Sequence, residues 1–151
     1  MSDTIEFLDL GLQPMANNYL PINQKKKKEK KYNLKIQYNK NTKIISIKDT
    51  FSSKTMFNGR YPYRSSMSQT MISSFKKLSL EIKRKYNPKK ILEIGSNDGS
   101  FIKNFNKNKV VGIEPCSNIE KITKKKGFDT YSEYWTQKFA KKIKKKYSKS
   151  I

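Results

Sequence analysis

The chain has no histidine, and so lacks the commonest general base near neutral pH. Its single cysteine, Cys116, excludes an internal disulfide and any cysteine-rich zinc site. No apolar run approaches the roughly 20 residues that a membrane span needs. The opening Met1-Ser-Asp-Thr-Ile-Glu6 is acidic and lacks the charged and apolar regions of a signal peptide, so a soluble cytoplasmic protein is expected. Acidic residues are scarce, 12 against 34 Lys and Arg, giving a formal net charge of +22. Such an excess ordinarily implies an anionic partner: nucleic acid, a membrane surface or a phosphorylated substrate. Arginine is scarce as well, present only at positions 60, 64 and 84. Its planar fork is what base-edge and phosphate readers favour. A surplus of Lys, Asn and Ile is what an A/T-rich coding sequence produces, and it explains the charge better than a nucleic-acid surface does.

What is present starts with Ile91-Leu-Glu-Ile-Gly-Ser-Asn-Asp-Gly-Ser100, followed by the apolar run Val110-Val-Gly-Ile113 and Glu114. An apolar strand ending in a small-residue turn, with an acid closing the next strand, is the layout of a nucleoside-binding α/β unit. Gly95 allows a sharp turn and close approach of backbone to a ligand. Gly99 is expected to open a helix whose first N–H groups face the same crevice, and Glu114 is placed to accept ribose hydroxyls. The turn reads G-x-x-x-G rather than G-x-G-x-x-G, which favours S-adenosyl-L-methionine (SAM) over a dinucleotide, since no pyrophosphate must be cradled. Gly95, Ser96, Asn97, Asp98 and Gly99 would meet the methionine part of that cofactor. The plainer alternatives are a strand-to-helix turn with Asp98 as its cap, and Glu114 as a surface acid.

Along the chain, residues 5–22 hold a short apolar lead, Phe7-Leu-Asp-Leu10, and then the punctuation of Gly11 and Pro14, and they read as a compact loop. Lys25 to Lys31 reads as a solvated linker or turn. Tyr32, Leu34, Ile36 and Tyr38 alternate with polar residues, as do Ile45 and Ile47, predicting a β-hairpin with one buried face. Thr55 to Ser68 reads as loop. Met71, Ile72, Phe75, Leu78 and Ile82 form a helical stripe over 68–86, ended by Asn87-Pro88. Then strands at 91–94, 110–113 and 128–132 alternate with helices at 99–107, 117–126 and 136–147, the last carried by Phe139, Ala140, Ile143 and Tyr147. That order implies parallel pairing with right-handed crossovers. The fold class expected is α/β: a partial Rossmann-like domain of three βα units over residues 67–151, preceded by a small β-hairpin module over residues 1–66.

The stretches Leu8-Asp-Leu-Gly-Leu-Gln-Pro-Met-Ala-Asn-Asn-Tyr-Leu20, Tyr61-Pro-Tyr-Arg-Ser-Ser-Met-Ser68, Leu92-Glu-Ile-Gly-Ser-Asn-Asp-Gly-Ser-Phe101 and Val111-Gly-Ile-Glu-Pro115 are the ones that carry a resemblance. In order and spacing the sequence resembles bacterial sugar C-methyltransferases, SAM-dependent enzymes that methylate a carbon of a nucleotide-linked deoxysugar. Gly127-Phe-Asp-Thr130 and Tyr134-Trp135 look similar to the segment that follows, so the likeness covers about residues 7–147. It implies a methyltransferase, with Tyr61, Ser66 and Pro115 joining residues 95–99 and Glu114 at the cofactor. Tyr63 is the candidate catalytic residue, approaching the sugar or the methionine end; packing of its loop against the sheet is the alternative for both tyrosines. Ser65 and Ser68 are further candidates for the cofactor carboxylate, although Ser68 also suits a helix cap, and Arg60 and Arg64 for the sugar nucleotide's diphosphate.

Two departures from the family pattern stand out. The four zinc-binding cysteines of the family's N-terminal domain are missing, so no metal is expected. The His- and Glu-bearing segments that follow in family members have no counterpart here. The sequence therefore reads as the N-terminal portion of such an enzyme, expected to bind SAM weakly and not to turn over alone, with strand 91–94 left at a sheet edge and a second polypeptide as a candidate to complete the fold. Two other classes stay open: a SAM-binding protein without catalysis, and a basic nucleic-acid-binding protein. Cys116 reads as a small residue at a helix start, since a nucleophile would lack its histidine.

Overall fold

The alternating run in the thirties forms a strand because Tyr32, Leu34, Ile36 and Tyr38 fall on one face and the polar Asn33, Lys35, Gln37 and Asn39 on the other. In the computed structural model, which describes residues 3–24 and 28–148, this strand is β2 (Lys31–Asn39). It pairs antiparallel with β1 (Thr4–Pro14) on one side and β3 (Ile45–Ile47) on the other. The hairpin is as expected, but its apolar face is half-buried to exposed and not buried, and the reading of residues 5–22 as loop is corrected, since most of β1 lies there. Two register shifts and the positive φ of Gly11 let β1 absorb its glycine and irregular pattern without leaving the ladder. The first part of the Lys25–Lys31 run lies outside the described residues.

The register sorts the two faces of this sheet. Glu6, Asp9, Lys35 and Lys48 meet on one face, with Lys35 3.1 Å from Glu6 and 3.0 Å from Asp9, and Lys48 2.8 Å from Glu6. Hydrogen bonds from both lysines hold the Glu6 carboxyl below its ordinary range. Ile5 opposite Tyr38 and Ile45, and Leu8 opposite Ile36 and Ile47, fill the other face. Most of those apolar side chains are exposed.

The chain divides into two compact units, Met1–Met56 and Phe57–Ile151. The division falls earlier than the sequence boundary at residue 66, because residues 57–66 are tied by hydrogen bonds to Asn97, Asp98, Asn118 and Tyr134. A short helix α1 (Ser53–Met56) and a 3-10 turn at Ser65–Met67 interrupt the expected loop.

The second unit is an α/β arrangement around a three-stranded parallel sheet. β4 (Ile91–Ile94), β5 (Val110–Ile113) and β6 (Asp129–Tyr131) lie in the order β4-β5-β6, as expected. Helices α2 (Gln69–Tyr86), α3 (Ser117–Lys125) and α4 (Gln137–Tyr147) match the predicted spans closely. On one sheet face Val111 and Ile113 pack with Phe139, Ile143 and Tyr147 of α4. On the other, Val110 packs with Ile102, Phe105 and Phe128, supported by Ile82 of α2 and by Ile91. Among the described residues no helix is long and apolar enough to cross a membrane.

Two expectations are corrected. Residues 99–107 do not form an α-helix but two 3-10 turns, Ile102–Asn104 and Lys107–Lys109. Asn104 Nδ2 donates to the carbonyls of Ser100 and Phe101, and Asn106 Oδ1 accepts the Asn108 N–H, so side chains take the backbone groups a helix needs. The inward stripe of α2 also differs, since Leu78 is exposed and Ser79 is buried in its place. Ser79 is small enough for close packing and satisfies its hydroxyl by donating to Lys76 O at 2.7 Å.

Ser79→Leu should therefore lower stability by roughly 1–3 kcal/mol through overpacking, whereas Leu78→Ser costs less than about 1 kcal/mol. Urea denaturation of both variants checks this; equal losses would mean that α2 is rotated from the orientation described.

Candidate functional site

The turn after β4 is shaped by backbone before any side chain acts. Gly95 and Asn97 have positive φ, +74° and +48°, and the N–H groups of Gly95 and Ser96 both donate to Ile113 O, at 2.8 and 3.0 Å. The turn is thereby folded over the end of β5. A Cβ on Gly112 of β5 would lie 2.7 Å from Ser96 Oγ and 2.7 Å from Thr130 Cγ2, so only glycine lets the turn sit this low. At Gly95, by contrast, an added Cβ would meet nothing within 4 Å, and the backbone there faces open space.

Glu114, at the end of β5, is buried and closes the turn. Its Oε2 accepts the Asn97 N–H at 2.9 Å and its Oε1 the Cys116 N–H at 2.8 Å. The turn and the carboxylate thus meet directly. Asn97 reaches the other way: its Oδ1 accepts the Ser65 N–H at 2.8 Å, and its Nδ2 donates to Tyr63 O at 3.2 Å. Asp98 Oδ2 accepts the Ser66 N–H at 3.3 Å, and Asn118 of α3 donates to Tyr61 O at 2.8 Å. Four contacts therefore hold the Tyr61–Ser66 segment against the turn and α3.

The electrostatics follow from burial. Burial raises the Asp98 carboxyl, but hydrogen bonds from the Ser100 hydroxyl (2.6 Å) and from Ser66, together with the Lys126 charge, outweigh it and leave the group below its ordinary value. Glu93 has no such help. Burial first, then the charges of Glu114 and Asp98, push it from 4.5 to about 8, and its Oε2 has no hydrogen-bond partner. Cys116 is pushed up to about 12 by burial and then by Glu114, so its thiol stays protonated.

Of the residues singled out in the sequence, Gly95, Ser96, Asn97, Asp98 and Gly99 form the turn, Glu114 lies against it, and Pro115 is half-buried just beyond. Tyr61 is joined to α3 through its carbonyl, and Ser66 to the turn through its N–H, its side chain also hydrogen-bonding Asp98. Tyr63 likewise engages Asn97 through its carbonyl, and its side chain is exposed. Gly99 does not open an α-helix, and so the expected array of helix N–H groups is corrected to a turn. Ser68 caps α2, accepting the Met71 N–H. Arg60 and Arg64 are exposed. Among the described residues no group of acids, histidines or cysteines is arranged to hold a metal ion.

Sequence reading missed Glu93. The signal was an acid inside the apolar run Leu92-Glu-Ile94, whose register partner is a glycine. It also missed the clamp made by Asn97 and Asn118, which contiguous motifs do not display. No family model matches the chain, and no curated protein matches it.

Two outcomes follow. Because the folded state holds the Glu93 proton more tightly than the unfolded one, stability from this group is greatest below the unfolded value of 4.5 and falls as pH rises toward 8. Glu93→Gln should therefore be more stable than the parent by about 1–3 kcal/mol near pH 9, with the gap closing below about pH 4.5. Urea titrations at the two pH values measure it, and a pH-independent gap would contradict a protonated Glu93. Asn97→Ala loses two hydrogen bonds and a side chain tolerant of positive φ, at a cost of about 1–3 kcal/mol. Amide exchange in 61–66 should quicken with it; unchanged exchange would mean that the clamp is not what holds that segment.

Proposed function

We propose that the Phe57–Ile151 unit binds SAM and serves a Rossmann-like methyltransferase of the sugar C-methylating kind that the sequence resembles. The observation that carries this reading is the turn closing on Glu114 beside two further carboxyls, Asp98 and Glu93, of which Glu93 is forced toward neutrality. This neighbourhood holds three acids against one lysine, Lys126, and favours a ligand that brings positive charge. A sulfonium and an ammonium group fit that requirement, and the phosphates of a dinucleotide do not.

The residues present suit the cofactor. Each Glu114 oxygen accepts one backbone N–H and retains a second lone pair for a ribose hydroxyl. Gly95 offers backbone in open space, and the 61–66 segment held by Asn97 and Asp98 forms a flank. When bound, the cofactor supplies an electrophilic methyl group, whose bond to the sulfonium sulfur breaks as one to a nucleophilic substrate carbon forms. The chain's own contribution is to bind, orient and exclude water. Glu93 gives up its proton as positive charge enters, and the exposed Tyr63 side chain is available to a sugar.

A second reading, a SAM-binding protein without catalysis, is favoured by the absence of histidine and by the protonated thiol of Cys116. Transfer of radiolabel from SAM to deoxysugar nucleotides, assayed with the chain alone and with the chain added to extract of its native cells, distinguishes the two: the first reading expects chain-dependent transfer only with the extract, the second expects none in either.

Calorimetric titration with SAM at about pH 6.5, in buffers of differing ionisation heat, should register release of about one proton per bound cofactor. Glu93→Gln should abolish the release, and Glu114→Gln should weaken binding at least about tenfold, or roughly 1.4 kcal/mol. Absence of binding at millimolar SAM sinks the proposal.

A further inference from the structure

Charge in the second unit is sorted along the strand direction. In a parallel sheet with returning helices, the starts of the strands and the last turns of the helices share one end. The contacts agree. Lys90 Nζ, just before β4, donates to Asn108 O ahead of β5 at 3.0 Å and lies 4.7 Å from the ring centre of Tyr147 in the last turn of α4. Tyr147 donates in turn to Asp129 at the start of β6, and Lys107 Nζ lies 5.4 Å from the ring centre of Phe128. Segments 83–91, 106–110, 124–129 and 144–147 thus meet at this end. They hold five, two, three and three lysines and arginines respectively, against one acid, Asp129. Of these thirteen cations only Lys90 is half-buried, and the others are exposed. The strand ends show the reverse. Segments 94–100, 113–118 and 131–137 hold Asp98, Glu114 and Glu133 and no cation, with Arg60 and Arg64 added by the flanking segment.

A coding bias toward lysine raises the number of cations without sorting them. Helix dipoles account for the lysines in the last turns of α2, α3 and α4. They do not account for Lys89, Lys90, Lys107 and Lys109, which lead into β4 and β5. The cations also stand on both sides of the sheet, since α2 packs on one face and α4 on the other. They form a two-dimensional array, which a plane of negative charge matches and a single line of phosphates does not. Bilayer headgroups attract Lys as well as Arg, whereas nucleic-acid readers favour the arginine fork, and this end holds only Arg84. Beside the end of α2 a cavity of about 350 Å³ is lined by Pro88, Ile91 and Phe105 together with Lys83 and Lys109. Cationic and apolar walls in one cavity suit a lipid phosphate with its glycerol. We propose that this end of the unit docks on the surface of an anionic lipid bilayer, with its lysines against the headgroups and the exposed Tyr86 at the interface. Attraction at this end and repulsion of the acids at the other turn the Glu114 crevice away from the bilayer. The inference stands whether or not SAM binds.

The test sediments the full chain, at about 0.15 M salt, with vesicles of phosphatidylcholine alone or with roughly one-third phosphatidylglycerol. Binding to the mixed vesicles only is expected. Arg84→Gln combined with Lys89→Gln, Lys109→Gln and Lys145→Gln should weaken it at least about thirtyfold, with the thermal midpoint unchanged. Lys76→Gln combined with Lys77→Gln, Lys121→Gln and Lys138→Gln removes the same charge from elsewhere on the unit and should weaken it less than about threefold. Acetylation footprinting gives an answer on the unaltered chain: on mixed vesicles Lys89 and Lys109 should be protected and Lys138 should stay reactive. Equal losses from the two sets of substitutions, binding to neutral vesicles, no binding to mixed ones, or protection of Lys138 in place of Lys89 and Lys109 would overturn the proposal. So would a duplex oligonucleotide that strips the chain from the vesicles at equal phosphate concentration, since nucleic acid would then be the better occupant.

Discussion

A buried carboxylate is costly unless each of its oxygens finds a donor, and the organisation of the parallel unit follows from how Glu114 finds its two. One N–H comes from Asn97 in the turn after β4, the other from Cys116 at the start of α3. The end of β5 is thereby joined to the strand before it and the helix after it. With its N–H fixed in this way, Asn97 can turn its side chain outward and hold the Ser65 and Tyr63 backbone. Loss of that one carboxylate would free the turn, the start of α3 and the flanking segment together.

The same compactness sets the local charge. Three acids, Glu93, Asp98 and Glu114, are drawn into one neighbourhood, and each is treated differently. Glu114 is satisfied by backbone, and Asp98 by hydroxyl, amide and the nearby Lys126. Glu93 is left with burial and repulsion, and so keeps its proton. Lysines crowd the exterior of this unit, yet those charges do not reach the buried carboxyl, because solvent screens them.

Elements with strong local signals were legible in the sequence. The alternation from Tyr32 to Tyr38, the apolar runs at 91–94 and 110–113, and the Ser68 and Asn87 ends of α2 all correspond to what folds. Strand β1 was not, because its bulges break the period-two pattern and Gly11 and Pro14 imitate loop punctuation. The segment after Gly99 misled for the opposite reason: its spacing suits a helix, but Asn104 and Asn106 divert the backbone groups. At the site, the residues of the turn and Glu114 could be named from motif spacing. Glu93, Asn118 and the need for glycine at 112 emerge only when strands are in register and segments distant in sequence meet.

The antiparallel sheet of the first unit has two faces of opposite temperament. One is held by Glu6, Asp9, Lys35 and Lys48, the other presents Ile5, Leu8, Ile45 and Ile47 to solvent. In dilute buffer the large positive charge of the chain keeps molecules apart and this greasy side inconspicuous. Concentrated sulfate reverses the balance, since it screens that repulsion and strengthens apolar attraction at once. Sulfate is thus expected to draw molecules together through the face of Ile5, Leu8, Ile45 and Ile47.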